Sequence, residues 1–482
     1  MGACFRNLVG GEWLVDRTGS IANINPSDTS DVIGSYASGD AATVEAAVAS
    51  GRAAFAEWSR TTPQIRHDIL KKVGDELISR QDELGRLLAR EEGKTLREGI
   101  AEVQRAGHIF LFFAAEALRI AGERLASVRS GVDIDVTREA LGVIGLITPW
   151  NFPFAIPAWK IAPALAYGNC VVLKPAELVP GSAWALAEII SRSGVPGGVF
   201  NLVMGEGGTV GKALVEHRGV AAISFTGSVG TGTRIGAAAA IRPMKKIQLE
   251  MGGKNPLVVL DDADLAASVE IAVNGAFLST GQRCTASSRF VVTEGIHDRF
   301  VSAVVERMKT LSVGHALDPE TVIGPVVDAR QLESNVKYIE VGKREGATLA
   351  FGGRQMVRER HGYYLEPALF TEVTNGMRIA QEEIFGPVAG VIRVRDYDEA
   401  LAVSNDVEFG LSAGICTTSL KYASDFKRNA EAGMVMVNLP TAGVDYHAPF
   451  GGRKGSSFGS REQGRYAAEF YTAVKTAYTN AG

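Results

Sequence analysis

Leu141-Gly142-Val143-Ile144-Gly145-Leu146-Ile147 is an apolar run that ends in Thr148 and the turn Pro149-Trp150-Asn151-Phe152-Pro153. A short apolar run closed by a proline-rich turn reads as a buried strand. The prolines fix the local backbone, so Asn151 stands just past the strand's carboxyl end, where open α/β sheets hold their ligands. An amide there is placed to offer an N–H to a developing oxyanion; it would equally serve as the cap of a turn. Outward from this strand the pattern repeats. Cys170-Val171-Val172-Leu173, the stretch 199–203 and the stretch 220–225 read as further strands, with helical periodicity at 181–192 and 209–217 between them. Alternation of this kind predicts a doubly wound α/β fold. A second α/β unit starts near Pro256-Leu257-Val258-Val259-Leu260, carries a helix-like stretch at 264–278 and continues to about Val444.

Two segments beyond the first unit bring reactive groups. Gly281-Gln282-Arg283-Cys284-Thr285-Ala286 offers a thiol, and Leu249-Glu250-Met251-Gly252-Gly253-Lys254-Asn255-Pro256 offers a carboxylate. A thiolate attacks carbonyl carbon and a carboxylate can take a proton from water, which together give covalent catalysis followed by hydrolysis. Singly, each residue has an ordinary reading, since most free cysteines are small buried hydrophobes and most glutamates lie on the surface. The glycine-rich turn Phe225-Thr226-Gly227-Ser228-Val229-Gly230-Thr231-Gly232, between a strand and the helix through Arg234 to Ile241, is suited to phosphate. It departs from the regular GxGxxG fingerprint and is a weak signal alone.

At 482 residues the chain exceeds one ordinary core, so two or more domains are expected. The 50 basic and 54 acidic residues are well mixed, which points to neither nucleic acid nor an anionic membrane surface. Cys4, Cys170, Cys284 and Cys416 lack CxxC or metal-type spacing, so a reducing compartment, no disulfide and no bound metal are expected. No stretch approaches the ~18 apolar residues of a membrane helix, and the expected location is cytoplasmic. The stretch 123–138 reads as an exposed hairpin and Phe470-Tyr471-Thr472-Ala473-Val474-Lys475-Thr476 as a terminal strand. Two-stranded ribbons are marginal alone, so both are expected to complete a sheet with another subunit.

PWNFP, LEMGGKNP, GQRCTA and Glu382-Glu383-Ile384-Phe385-Gly386-Pro387-Val388 stand in this order along the chain. In this the sequence resembles the aldehyde dehydrogenase superfamily over nearly its whole length. The resemblance implies an α/β protein with a Rossmann-type dinucleotide-binding domain (1–119 and 141–252), an α/β catalytic domain (253–445) and a small β oligomerisation element (120–140 and 463–482), assembled as a homodimer or homotetramer. It implies Cys284 as nucleophile, Asn151 as oxyanion donor, Glu250 as base for water, and Lys160 and Glu462 as a proton relay. Trp150, Lys174, Glu177, Gly227, Ser228, Gly230, Met251, Glu383 and Phe385 would bind the cofactor. Phe152, Trp159 and Phe450 would line the substrate tunnel. NAD is the expected cofactor, with NADP used less well, because the Glu177 carboxylate near the adenosine ribose would repel a 2′-phosphate.

Within the superfamily the sequence is most similar to the α-ketoglutaric semialdehyde (2,5-dioxovalerate) dehydrogenases, on the stretches 280–289, Ala155-Ile156-Pro157-Ala158-Trp159-Lys160 and 449–457. Arg283, beside the nucleophile, is the one cation placed to meet a distal carboxylate on such a substrate; it has an even-handed alternative as a brace for its own loop. A succinic semialdehyde or broad-range aldehyde dehydrogenase is the nearest rival. A cysteine hydrolase would need a histidine base, and none of the seven histidines lies in a recognisable partner motif. A non-catalytic descendant should have lost Asn151, Glu250 or Cys284, and all three are present.

Overall fold

The computed structural model describes residues 4–14, 19–241 and 243–480; the outermost residues of the first and last expected segments, 1–3 and 481–482, lie outside it. Among the described residues, the expected alternation folds into two large sheets. In the first, Lys246–Glu250, Val220–Thr226, Val143–Ile147, Cys170–Lys174 and Phe200–Leu202 run parallel as central neighbours in that order. Chain order leaves from Val143–Ile147 to one side, then returns to fill the other. The crossover point therefore lies between Val143–Ile147 and Val220–Thr226, and the carboxyl ends of those strands are where a sheet of this order takes its ligand. Antiparallel strands cap both edges, the hairpin Asn7–Val9 and Glu12–Leu14 on one side and Ser457–Phe458 on the other. The last of these falls past the expected end of the catalytic unit.

The second sheet has seven strands in the order Thr348–Phe351, Ala368–Thr371, Val388–Val394, Ser287–Thr293, Asn255–Val259, Ser412–Cys416 and Met434–Val437. Only the Thr348–Phe351 edge is antiparallel. Val143, Ile144 and Leu146, like Leu257, Val258 and Val259, are buried, as continuous apolar runs must be when helices cover both faces of a parallel sheet. Of those covering helices, Leu96–Ala117 bears on the site. A capping box starts it, with Thr95 and Glu98 each accepting the other's backbone N–H, and a stripe through Val103, Ala106, Phe110 and Phe113 is buried.

A third sheet joins Glu123–Ala126, Val132–Ala140 and Thr472–Asn480. The terminal strand pairs along its whole length, from Thr472 opposite Ala140 to Asn480 opposite Val132, with Val474 60% and Tyr478 61% exposed. It starts two residues later than the sequence reading placed it. Phe470 and Tyr471 belong to the helical turn Ala468–Tyr471 and are buried in the first core; Asn169 donates to the Tyr471 carbonyl at 2.9 Å. Burial of two aromatic rings outweighs their strand propensity. The helix expected at 209–217 likewise opens as a wide turn, Gly207–Gly211, and becomes α-helical only over Lys212–Glu216. No helix among the described residues is long and apolar enough to cross a membrane.

Candidate active site

Asn151 is buried, and its side-chain amide donates to the Gln282 carbonyl at 3.0 Å. The turn after the first sheet's central strand is thereby brought onto the loop that carries Cys284. That loop follows the helix Leu265–Phe277 and precedes the strand Ser287–Thr293. Asn255 fixes its far side, its amide donating to the carbonyls of Cys284 (2.8 Å) and Ala286 (2.9 Å) while its own oxygen accepts from the Ser412 N–H (2.9 Å). The Glu250 segment passes so close that a Cβ on Gly253 would come 2.4 Å from the Cys284 carbonyl oxygen, so only glycine fits there. Burial, and then the charges of Glu383 and Glu250, push the Cys284 thiol up to about 12. The resting nucleophile is a thiol that needs a base.

Glu250 ends the strand Lys246–Glu250 and is buried. One of its oxygens accepts from the Ser457 hydroxyl at 2.5 Å, and that hydroxyl accepts from the Gly452 N–H at 2.6 Å. Burial raises the carboxyl well above the usual carboxylate range, Glu462 raises it further, and Ser457, Lys160 and Arg461 pull it down. Lys160, fully buried on the helix Ala155–Ala166, bonds Glu462 and donates to the Ser224 hydroxyl at 2.7 Å. Ser224 donates on to Gln248 at 2.9 Å. The second oxygen of Glu462 has no partner among the described residues. The structure thus joins Lys160 and Glu462 in one buried polar chain that acts electrostatically on Glu250. Sequence reasoning named this pair but missed Ser224, Gln248 and Ser457.

Most of the residues expected to hold a dinucleotide follow the carboxyl ends of the first sheet's strands, and Glu383 and Phe385 come from a loop of the second unit. Ser228 starts the helix Val229–Ala239 without capping it through its side chain; the Thr231 and Gly232 N–H groups donate to its carbonyl at 3.1 and 2.9 Å, and the space around Gly230 is open. Lys174 is buried at the end of its strand, paired with Glu177 at 3.1 Å. Met251 packs against Gly232, where a Cβ would overlap its sulfur. Trp150 and Phe385 meet edge to face, 5.3 Å between ring centres. Glu383 accepts the Gly253 N–H at 2.8 Å, and burial pushes its carboxyl up to about 7. A helix start for phosphate, with the Glu177 and Glu383 carboxylates for ribose hydroxyls, fits the groups a dinucleotide needs. Among the described residues no cluster of His, Cys, Asp and Glu has the form of a metal site.

Trp159 and Phe450 stack tilted at 5.3 Å, and the Phe152 ring lies under the Lys94 ammonium, 3.9 Å from its centre. Arg283 turns out to have a carboxylate already. Its guanidinium pairs with Glu98 at 3.2 Å and donates to the Ser279 hydroxyl at 2.9 Å and the Asn274 carbonyl at 3.4 Å. Of its two sequence readings, the brace is the one for which the structure supplies partners. Glu98, Lys94 and Glu102 escaped sequence reasoning. The capping box at Thr95 and Glu98 was a visible signal for the helix start, but nothing local marked what these side chains reach.

A thiol on a loop held by a side-chain amide, with a buried carboxylate acting on it, fits an oxidoreductase that acts on aldehydes. The sequence profile of the aldehyde dehydrogenase family matches residues 13–477. An α-ketoglutaric semialdehyde dehydrogenase of Bacillus subtilis (strain 168) is 44% identical over 477 residues, covering 98% of each chain. A betaine aldehyde dehydrogenase of Staphylococcus aureus, solved in complex with NAD+, superposes with a TM-score of 0.96 at 34% identity, covering 99% of this chain and 95% of that one. An NADP-dependent enzyme of E. coli superposes with a TM-score of 0.95 at 35% identity, covering 99% and 98%. The chain belongs to the aldehyde dehydrogenase family.

Proposed function

We propose that this enzyme oxidises a short semialdehyde, α-ketoglutaric semialdehyde foremost, to the carboxylic acid with NAD as the preferred cofactor. The observation that carries the reading is the meeting of Asn151 with the Cys284 loop beside the buried Glu250. Cys284, its thiol proton passed to the Glu462–Lys160 relay, adds as thiolate to the aldehyde carbon. The new oxyanion is held by the Asn151 amide and the Cys284 backbone N–H. Bound nicotinamide supplies the hydride acceptor at this site, with Glu383 and Glu177 as ribose partners and the Ser228 helix start as the phosphate seat. The carbonyl then re-forms as a thioester on Cys284. Glu250 takes a proton from water, which attacks the thioester; the thiolate leaves and the acid departs. Glu462 and Lys160 carry the proton away. The relative from Bacillus subtilis supports the substrate, and its name states the same semialdehyde.

The dinucleotide half is assigned to 1–119 and 141–252, the nucleophile half to 253–445. The element 120–140 with 463–482, whose strands Val132–Ala140 and Thr472–Asn480 pair, is assigned to pairing with a second copy, as a homodimer or homotetramer. The cytoplasm is the assigned compartment. The experiment is absorbance of reduced nicotinamide on a panel of semialdehydes and neutral aldehydes of matched length. Highest kcat/KM on α-ketoglutaric semialdehyde supports the reading; a neutral aldehyde in that place overturns the substrate assignment, and no reduced cofactor with any aldehyde overturns the activity.

A further inference from the structure

The segment from Lys94 to Glu102 touches both halves of the oxyanion site. Lys94 is buried, and its ammonium donates to the backbone carbonyl of Asn151 at 2.7 Å and to Glu102 at 2.7 Å. The other oxygen of Glu102 accepts the N–H groups of Phe154 at 2.9 Å and Ala155 at 3.2 Å. The turn that carries Asn151 is therefore tied at Asn151 itself and again where it enters the next helix. On the opposite side Glu98 accepts from the Ser279 N–H and the Ser279 hydroxyl, both at 2.8 Å, and from Arg283 at 3.2 Å.

The Glu98 contact falls where the cysteine loop is least able to hold itself. Ser279, Thr280 and Gly281 have φ of 50°, 56° and 65° in succession. Left-handed backbone is unfavourable for Ser and Thr and persists where surrounding structure over-determines it. Glu98 supplies that hold, together with the Thr280 hydroxyl donating to the Gly324 carbonyl at 3.0 Å. Glu98 and Glu102 lie one turn apart on the same helix, on one face. Their spacing is fixed by helix geometry rather than by either loop.

We propose that Lys94, Glu98 and Glu102 are positioning residues that hold the Asn151 amide and the Cys284 thiol in register for addition to the aldehyde. The inference rests on the roles given to Asn151 and Cys284 above. Misplacement on the scale of an ångström slows a step by about 10²-fold. Lys94→Met loosens the amide side alone, and Glu98→Ala loosens the thiol side.

The test uses the full chain with NAD and α-ketoglutaric semialdehyde, with three readouts: the first-turnover burst of reduced nicotinamide, the NAD dissociation constant, and the rate of Cys284 alkylation by iodoacetamide. For Lys94→Met we expect a burst about 10²-fold slower with NAD binding and alkylation unchanged. For Glu98→Ala both burst and alkylation rate shift while NAD binding holds, and Glu98→Gln, which keeps an acceptor for Ser279, recovers part of the loss. Removing one partner of a buried ion pair can unfold a protein, so the double variant Lys94→Met with Glu102→Gln, which leaves no lone charge, is read in the same way if the single variant does not fold. A burst within twofold of wild type, or a parallel fall of all three readouts, overturns the proposal. A wild type that forms no reduced nicotinamide fails the catalytic reading itself, whereas a normal wild-type first turnover that the variants leave untouched fails only the positioning role.

Discussion

The two walls of the site are built by different means. On the wall of the first sheet, Asn151, Lys174 and Glu250 stand at or just beyond the carboxyl ends of parallel strands, so the regular hydrogen-bond ladder sets where they point. On the opposite wall Cys284 rides a loop with left-handed backbone at Ser279 and Thr280, kept in place by Glu98 and Asn255 from elsewhere in the chain. Regular structure positions a group through its own strand, whereas an irregular loop needs struts. The thiol's acidity does not single it out either. Burial pushes Cys170 up to about 12 and Cys416 up to about 11, much as it does Cys284. What sets Cys284 apart is that Glu250 and Glu383 also act on it.

The largest effect should come from separating the walls' chemical roles. Cys284→Ala is expected to lower aldehyde oxidation by about 10⁴-fold or more with NAD binding retained, since no other thiol can reach the substrate. Glu250→Gln is expected to lower kcat by about 10²–10⁴-fold yet keep a stoichiometric burst of reduced nicotinamide, because the thioester forms and then waits for water. A Glu250→Gln enzyme with no burst but intact NAD binding would move Glu250 from hydrolysis to activation of the thiol and blur the distinction between the walls.

A subtler break uses pH. Glu250 must be ionised to take a proton from water, and its carboxyl is raised well above the usual range. The limb of kcat that reports hydrolysis therefore rises with pH. Lys160 favours the ionised form and Glu462 disfavours it. Lys160→Met should move the midpoint of that limb to higher pH and Glu462→Gln to lower pH. Opposite displacements in a kcat profile would establish that the buried chain tunes Glu250; displacements of the same sign would mean that it acts on another group.

These partners also mark what could be read in the chain before folding. The strands around Ile144, Cys170, Phe200 and Val220 were legible because strands buried on both faces are continuous apolar runs, and Asn151 followed from the first of them; the strand Lys246–Glu250 was not read, and the roles of Glu250 and Lys174 came from the family resemblance. The struts were not legible. Lys94 meets Asn151 from 57 residues away, Glu98 meets Arg283 across 185, and Ser457 meets Glu250 across 207. A charged side chain on a helix reads as surface until its distant partner is known. The late start of the terminal strand has the same origin, in a core that takes Phe470 and Tyr471.

Cofactor choice tests the first wall alone. Glu177 is paired with the buried Lys174 and its side chain is 37% exposed, so its repulsion of a 2′-phosphate is partly offset and partly screened. Wild-type kcat/KM is expected to be about tenfold higher with NAD than with NADP, equivalent to ~1.4 kcal/mol. Glu177→Gln should narrow that ratio through NADP binding and leave the first-turnover rate with NAD unchanged at saturation. A ratio in favour of NADP in the wild type would remove the assigned role.

The smallest expected effect decides between the two readings of Arg283. A free guanidinium meeting a substrate carboxylate would contribute roughly 1.5–3 kcal/mol, a preference of about tenfold to a hundredfold for acidic over neutral aldehydes. Glu98 already opposes this charge across a 3.2 Å pair, and the Ser279 hydroxyl holds the same terminal nitrogen. The guanidinium therefore has less charge to offer a ligand and more work to do within its loop. Arg283→Met is expected to lower kcat on neutral and acidic aldehydes of equal length by the same factor, and to change their kcat/KM ratio by less than about threefold, within ~0.7 kcal/mol. Loss confined to the acidic substrate would make Arg283 the anchor of the distal carboxylate. Equal loss on both would place that preference elsewhere in the tunnel and leave Arg283 among the struts that the cysteine wall requires.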